Sequence, residues 1–269
     1  MRHEKTRQLI ETAAAILEEE NPMTVRQVYY QLVSRQENTR SAYNCVCNAL
    51  AAARREGIIP WEWIEDRLRR PRHVSMWTDL KSFGETVQRS YRRDIWPTQS
   101  GYLEVWLEKD ALSGIFEDVL DPYGVTLNVG RGYDGWSSIY NAAERYDGED
   151  VTVLYFGDFD PSGEDMVRSL RDRLDELGST PDIVKVALTC DDIEQYHLPP
   201  DFTKKTDTRS KKFIAKYGDV SVELDALPVA VLRQRLIDEV EAEMDMDALA
   251  AVKLEEEADL RRLDKLLCD

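Results

Sequence analysis

Two aspartates and a glutamate fall where a strand-and-helix chain would gather them. The segment Tyr155-Phe-Gly-Asp158-Phe-Asp160-Pro-Ser-Gly163 follows an apolar run at 151–156 that reads as a strand. The two-residue spacing of Asp158 and Asp160 puts both carboxylates on one side of an extended backbone. Two carboxylates a few ångströms apart repel by roughly 4 kcal/mol at an effective dielectric of 20, so a hard divalent cation is their natural relief. Gly157 and Gly163 leave room for a phosphate or a backbone to come close. Asp160 before Pro161 equally fits a helix N-cap with proline at the first helical position, a reading that leaves Asp158 unexplained. An EF-hand does not fit, because the loop's twelfth position would be Ser169, which cannot give the bidentate carboxylate. Glu108, in Trp106-Leu-Glu-Lys-Asp-Ala-Leu112, closes an earlier strand at 103–107 and would lie on the same sheet edge. Alone it reads as a surface glutamate.

A second group lies in Thr24-Val-Arg26-Gln-Val-Tyr29-Tyr30-Gln-Leu-Val. Val25, Val28, Tyr29, Leu32 and Val33 form the apolar stripe of a helix over 24–35 that Thr24 would cap. Tyr29 therefore faces the core. Tyr30 lies about 100° away, one turn beyond Arg26 and on its face. A tyrosine beside an arginine there can bind phosphate, stack on a base or act as a nucleophile; by spacing alone an ordinary surface tyrosine is the better reading.

The elements that must position these groups are legible in outline. Helical spacing covers 4–20, 24–35 and 41–56, the last closed by Gly57, and an alternating apolar segment follows at 58–64. Three helices and a short extended piece are the pattern of a winged helix-turn-helix. Its third helix, with Tyr43, Asn44, Asn48, Arg54 and Arg55, would enter a DNA groove. Arg54, Arg55, Arg67, Arg69, Arg70 and Arg72 would grip phosphates, and Arg89, Arg92 and Arg93 extend the basic cluster. From residue 101 strands at 103–107, 125–129, 151–156 and 183–188 alternate with helices at 110–120, 136–146 and 161–177, which implies right-handed crossovers and a parallel sheet covered on both faces. Residues 199–220 read as a loop, and one or two acidic helices follow from 229. The expected organisation is thus an α/β chain with a winged-helix DNA-binding domain at 1–75, a linker at 76–100, a parallel-sheet α/β domain at 101–228 and an acidic helical tail at 229–269. No internal repeat or low-complexity tract interrupts it.

Charge first argues against nucleic acid: the chain of 269 residues carries a formal net charge of −17. Residues 1–100, however, hold 16 Lys/Arg against 13 Asp/Glu, and the remainder 19 against 39. A basic module joined to an acidic one fits this split, as do ordinary solvated acidic faces. No run nears the ~18 apolar residues of a membrane span, and the start lacks the apolar core of a secretory signal. A cytoplasmic, nucleoid-associated location and no membrane partner are expected. The four cysteines, Cys45, Cys47, Cys190 and Cys268, match no disulfide or zinc spacing and read as reduced, mostly buried thiols; His3, His73 and His197 are too scattered for a zinc site or a histidine triad.

One strand-end acid with an Asp-x-Asp on a later strand, in alternating topology, resembles the Toprim domain. That resemblance covers about residues 100–190 and implies Mg2+, with Mn2+ as a substitute, on Glu108, Asp158 and Asp160. With the Arg-x-x-Tyr-Tyr helix ahead of it, the chain resembles the A subunit of type IIB topoisomerase VI and the related meiotic double-strand-break protein. Gly130-Arg-Gly-Tyr133 and Val222-Glu-Leu-Asp-Ala-Leu227 are similar to two further segments of that family. Gln27 replaces its usual acid, Asp134 its proline after the turn, and Ser138-Ile139 stands in place of its Thr-Arg pair.

The resemblance implies that Tyr30 is the nucleophile and that Arg26 and Glu108 are catalytic. It also implies a 5′-phosphotyrosyl product, a homodimer in which tyrosine and metal come from different protomers, and a separate ATPase subunit for full topoisomerase activity. Two alternatives remain at this level. One is a Toprim nuclease in which metal-activated water attacks DNA or RNA. The other is a non-catalytic DNA-binding protein with a structural ion.

Overall fold

In a computed structural model of the chain, residues 4–34, 43–64, 74–130, 135–201 and 208–268 are described. Three helices open the fold, α1 (Glu4–Glu20), α2 (Val25–Ser34) and α3 (Tyr43–Arg55). Thr24 and Gln27 start α2 reciprocally: Thr24 Oγ1 accepts from the Gln27 N–H at 3.3 Å, and Gln27 Oε1 accepts from the Thr24 N–H at 2.6 Å. Gly57, with a φ of 74°, turns the chain out of α3. The expected extended wing at 58–64 is instead a 3₁₀ turn, Trp61–Trp63, with one isolated bridge between Met23 and Ile64. The cause is Arg54, which donates to the Trp61 and Ile64 carbonyls at 2.6 and 3.3 Å and stacks 4.4 Å from the Trp61 ring centroid. Carbonyls that a partner strand would take are bound by a side chain.

The expected linker holds a helix of its own, α4 (Leu80–Ser90), opened by a capping box between Asp79 and Ser82. Beyond it come β1 (Tyr102–Leu107), α5 (Ser113–Leu120), β2 (Thr126–Val129), α6 (Trp136–Tyr146), β3 (Val151–Phe156), α7 (Pro161–Glu176) and β4 (Asp182–Ala187). The strands form a parallel sheet in the order β2-β1-β3-β4. Then follow α8 (Cys190–Gln195), α9 (Ser210–Tyr217), α10 (Val229–Glu243) and α11 (Met246–Cys268). Helix α9 stands where a loop was expected, because Phe213 and Tyr217 pack their rings 5.2 and 5.1 Å from that of Phe159.

Strand alternation divides the core. Trp106, Val153 and Tyr155 point to a cluster with Ile139 and Ala142 of α6 and Met166, Leu170 and Leu174 of α7. Leu103, Val105, Leu107, Leu154 and Phe156 point the other way, to a cluster with Ile115 and Phe116 of α5 and Leu232, Leu236 and Val240 of α10 that runs on into α1, α2 and α3. Helix α10 is therefore part of the sheet's packing, not a separate tail. Glu104 sits fully buried in β1 and is satisfied by Arg145 at 2.7 Å, Tyr146 at 2.7 Å, Tyr102 at 3.2 Å and the Asn128 amide, as a buried carboxylate requires.

One surface expectation also changes. Cys45 and Cys190 are exposed free thiols, not buried ones. Arg93 is spent on Glu255 and Asp259 of α11 at 2.7 and 2.6 Å, and Arg92 pairs with Asp121 at 3.4 Å. Among the described residues no helix is long and apolar enough to cross a membrane. If α10 belongs to the core, Leu236→Ala lowers the unfolding free energy by about 2–5 kcal/mol in chemical denaturation.

Candidate active site

The parallel register pairs Leu107 with Phe156, so the residues just past both strands meet at one sheet edge. The Asp158 N–H donates to Glu108 Oε2 at 2.9 Å. Asp158 Oδ1 accepts from the Leu224 N–H at 2.7 Å, and Phe159 and Val222 exchange two backbone hydrogen bonds at 2.9 Å. The segment 222–227 is thereby fastened across the mouth of the sheet. Asp160 caps α7, its Oδ1 accepting from the Gly163 N–H at 2.7 Å with Pro161 at the first position. The capping reading of Asp160 is realised, and Asp158 serves elsewhere.

The two glycines are explained by the chain itself. A Cβ on Gly163 would lie 2.2 Å from the Asp158 carbonyl oxygen, and one on Gly157 would lie 2.6 Å from Glu108 Oε2. What comes close here is backbone and carboxylate from the same loop system.

Helix α2 closes the other side. Arg26, Tyr30, Glu108, Asp158, Asp160 and Glu223 all line one cleft of about 600 Å3. Tyr29 is buried in the core as its position on the stripe predicts, whereas Tyr30 is partly exposed. The Tyr30 hydroxyl faces Glu223, and Arg26 Nη1 lies 3.7 Å from Glu223 Oε2. Lys109, only 12% exposed, reaches Glu223 at 2.6 Å, Asp225 at 2.9 Å and Asp158 at 3.1 Å.

Proton affinities follow from this packing. Burial pushes Asp158 up to about 7, with Glu108's charge adding to the rise and Lys109 opposing it. Burial also raises Glu108, aided by the charge of Asp160. For Glu223 burial acts the same way, but Lys109, Arg26 and the Tyr30 hydroxyl outweigh it and hold the carboxyl below its usual range. Burial would lower Lys109, yet Asp225, Asp158 and Glu223 hold it above the usual lysine range. Tyr30 is raised, first by burial and then by Glu223.

The site candidates Arg26, Tyr30, Glu108, Asp158 and Asp160 therefore meet, and Tyr43, expected in a DNA groove, lines the same cleft. Asn44, Asn48 and Arg55 are exposed on α3, outside the cleft lining, and Arg54 is committed to the 61–64 backbone. Arg67, Arg69, Arg70 and Arg72, and the turn residues 131–133, lie outside the described residues. Lys109, Glu223 and Asp225 had no assigned role in the sequence. Their signal was there: charged residues inside otherwise apolar strings, one directly after a strand.

Among the described residues, no three His, Cys, Asp or Glu side chains form a ready-made metal cage. The donors nevertheless suit magnesium. Glu108, Asp158 and Asp160 each give one oxygen to a backbone N–H and keep the other without a protein partner among the described residues. Mg2+ characteristically takes one or two carboxylates and retains waters. A scan of protein-family models finds no match to the chain, and a search of curated proteins finds none either.

Two outcomes follow. Gly163→Ala forces Asp158 out of place and costs about 1–3 kcal/mol or more in thermal or denaturant unfolding. Because a carboxyl near 7 must lose its proton to bind a cation, a site that takes Mg2+ here would show calorimetric affinity rising by about tenfold per pH unit below that value and levelling off above it. Asp158→Ala removes the step.

Proposed function

We propose that the protein cleaves DNA strands in a Mg2+-dependent reaction of the topoisomerase VI A-subunit type, with Tyr30 as nucleophile. The observation that carries this reading is the meeting of Tyr30 and Arg26 from α2 with Glu108, Asp158 and Asp160 from the sheet edge in one cleft. A surface tyrosine or a lone strand-end acid has bland explanations; the five together in one cavity do not.

Charge makes the cation necessary. Glu108, Asp158, Asp160, Asp201 and Glu223 line the cleft beside Arg26, an excess that repels a phosphodiester. Magnesium held by Glu108, Asp158 and Asp160 would supply the missing positive charge and polarise the phosphate. Arg26 orients a phosphate oxygen from the tyrosine side. A phenol with a pKa near ~10 is about 0.1% ionised at neutral pH, so Tyr30 must give up its proton as its oxygen bonds to phosphorus. The 3′-oxygen leaves with the bonding pair, giving a 5′-phosphotyrosyl link and a 3′-hydroxyl. Religation reverses these steps.

In the family that the sequence resembles, tyrosine and acids come from different protomers of a homodimer. Here both line the cleft of one chain, so the proposed attack needs no residue from a partner. Passage of a second duplex would still call for a separate ATP-driven subunit.

A second reading has an observation in its favour. Burial and the facing charge of Glu223 hold the Tyr30 proton more tightly than usual, which favours water as nucleophile in a nuclease of DNA or RNA. Trapping cleavage products with denaturant and treating them with protease separates the two. The tyrosine reading predicts a covalent protein–DNA adduct that requires Mg2+ and vanishes in Tyr30→Phe. Cleavage that persists without an adduct in Tyr30→Phe assigns the reaction to water.

A further inference from the structure

Glu223 is placed from three sides. The Phe159–Val222 backbone pair fixes the residue before it, and Asp158 Oδ1 holds the N–H of the residue after it at 2.7 Å. Its side chain, 38% exposed, lines the cleft facing the Tyr30 hydroxyl, binds Lys109 at 2.6 Å and faces Arg26 at 3.7 Å. Glu108 and Asp158 instead turn an oxygen to backbone donors, and Asp160 is engaged in its helix cap.

From this geometry we infer that Glu223 is the catalytic proton acceptor for Tyr30. The inference rests on the tyrosine reading above. Its chemistry balances: the Tyr30 O–H bond breaks, the proton passes to a Glu223 carboxylate oxygen, and the freed electron pair bonds to phosphorus. The 3′-oxygen departs with the P–O pair and takes a proton from water, while Glu223 returns its own to solvent.

Ordinary electrostatics supplies the timing. At rest Lys109 and Arg26 keep Glu223 ionised, the form that accepts a proton, but make it a weak base. An incoming phosphodiester competes for Arg26, which lines the cleft. As Arg26 turns to a phosphate oxygen, Glu223 loses one opposing charge and its proton affinity climbs. The other charged or titratable groups facing this point are Asp158 beyond β3, Asp225 on the same segment as Glu223, and Tyr43 of α3.

Glu223→Gln in the full chain keeps the size and an acceptor oxygen but removes the base. With Mg2+ and duplex DNA, the rate of covalent adduct formation should fall by about 10²–10⁴-fold at neutral pH and recover as the pH is raised and hydroxide replaces the carboxylate. Phenol titration by ultraviolet difference absorbance should show the Tyr30 midpoint moving down, because a negative acceptor is gone. Glu223→Asp keeps the charge opposite Lys109 and draws the oxygen back from Tyr30; it should fold and lose rate in the same direction, by less. Adduct formation at the wild-type rate in either variant overturns the role of Glu223 while leaving Tyr30 as nucleophile. A wild-type chain that cuts DNA without any adduct overturns the tyrosine reading itself, and this role with it.

Discussion

A single buried ammonium ties the cleft together. Lys109 leaves the end of β1 and meets Asp158 from the end of β3 and both Glu223 and Asp225 from the segment that crosses the sheet mouth. Burying Asp158 and Asp225 without a cation would be prohibitive, and breaking a buried pair on one side typically costs about 3–5 kcal/mol. The consequence reaches further than the sheet, since Glu223 is also what Tyr30 and Arg26 of α2 face. The N-terminal helices are held over the acids by packing and by this charge balance together.

The same balance accounts for an acidic protein proposed to handle DNA. Several arginines that look available in the sequence are consumed inside the molecule: Arg93 by α11, Arg92 by Asp121, Arg54 by the 61–64 carbonyls. Arg55, Asn44 and Asn48 remain exposed on α3. In the cleft itself carboxylates outnumber cations, so the proposed reaction depends on divalent metal for admission of the phosphate as much as for chemistry.

Where the sequence could be read, it was local physics that made it so. Alternation and helical spacing placed the four parallel strands to within a residue, and the helices between them closely except that 110–112 is a 3₁₀ turn ahead of α5; the Thr24 cap and the stripe through Val28 and Leu32 separated Tyr29 from Tyr30 correctly. What escaped depends on partners distant in the chain. Helix α9 forms around Phe159, α4 leans on α11 through Gln88 and Asp264, and the 58–64 segment is shaped by Arg54. Glu223 and Lys109 were visible as letters, but their pairing joins residues 114 apart, which no periodicity reports.

The central claim is that a divalent cation and the Tyr30 ring share one cleft in one chain. Paramagnetic broadening tests it without reference to activity. With the tyrosine rings isotopically labelled, substoichiometric Mn2+ should broaden the Tyr30 signals strongly, leave sharp those of Tyr123, which precedes β2 outside the cleft and pairs with Glu241 of α10, and lose its effect in Asp158→Ala. Mn2+ that leaves Tyr30 sharp, or broadens it equally in Asp158→Ala, would contradict the account.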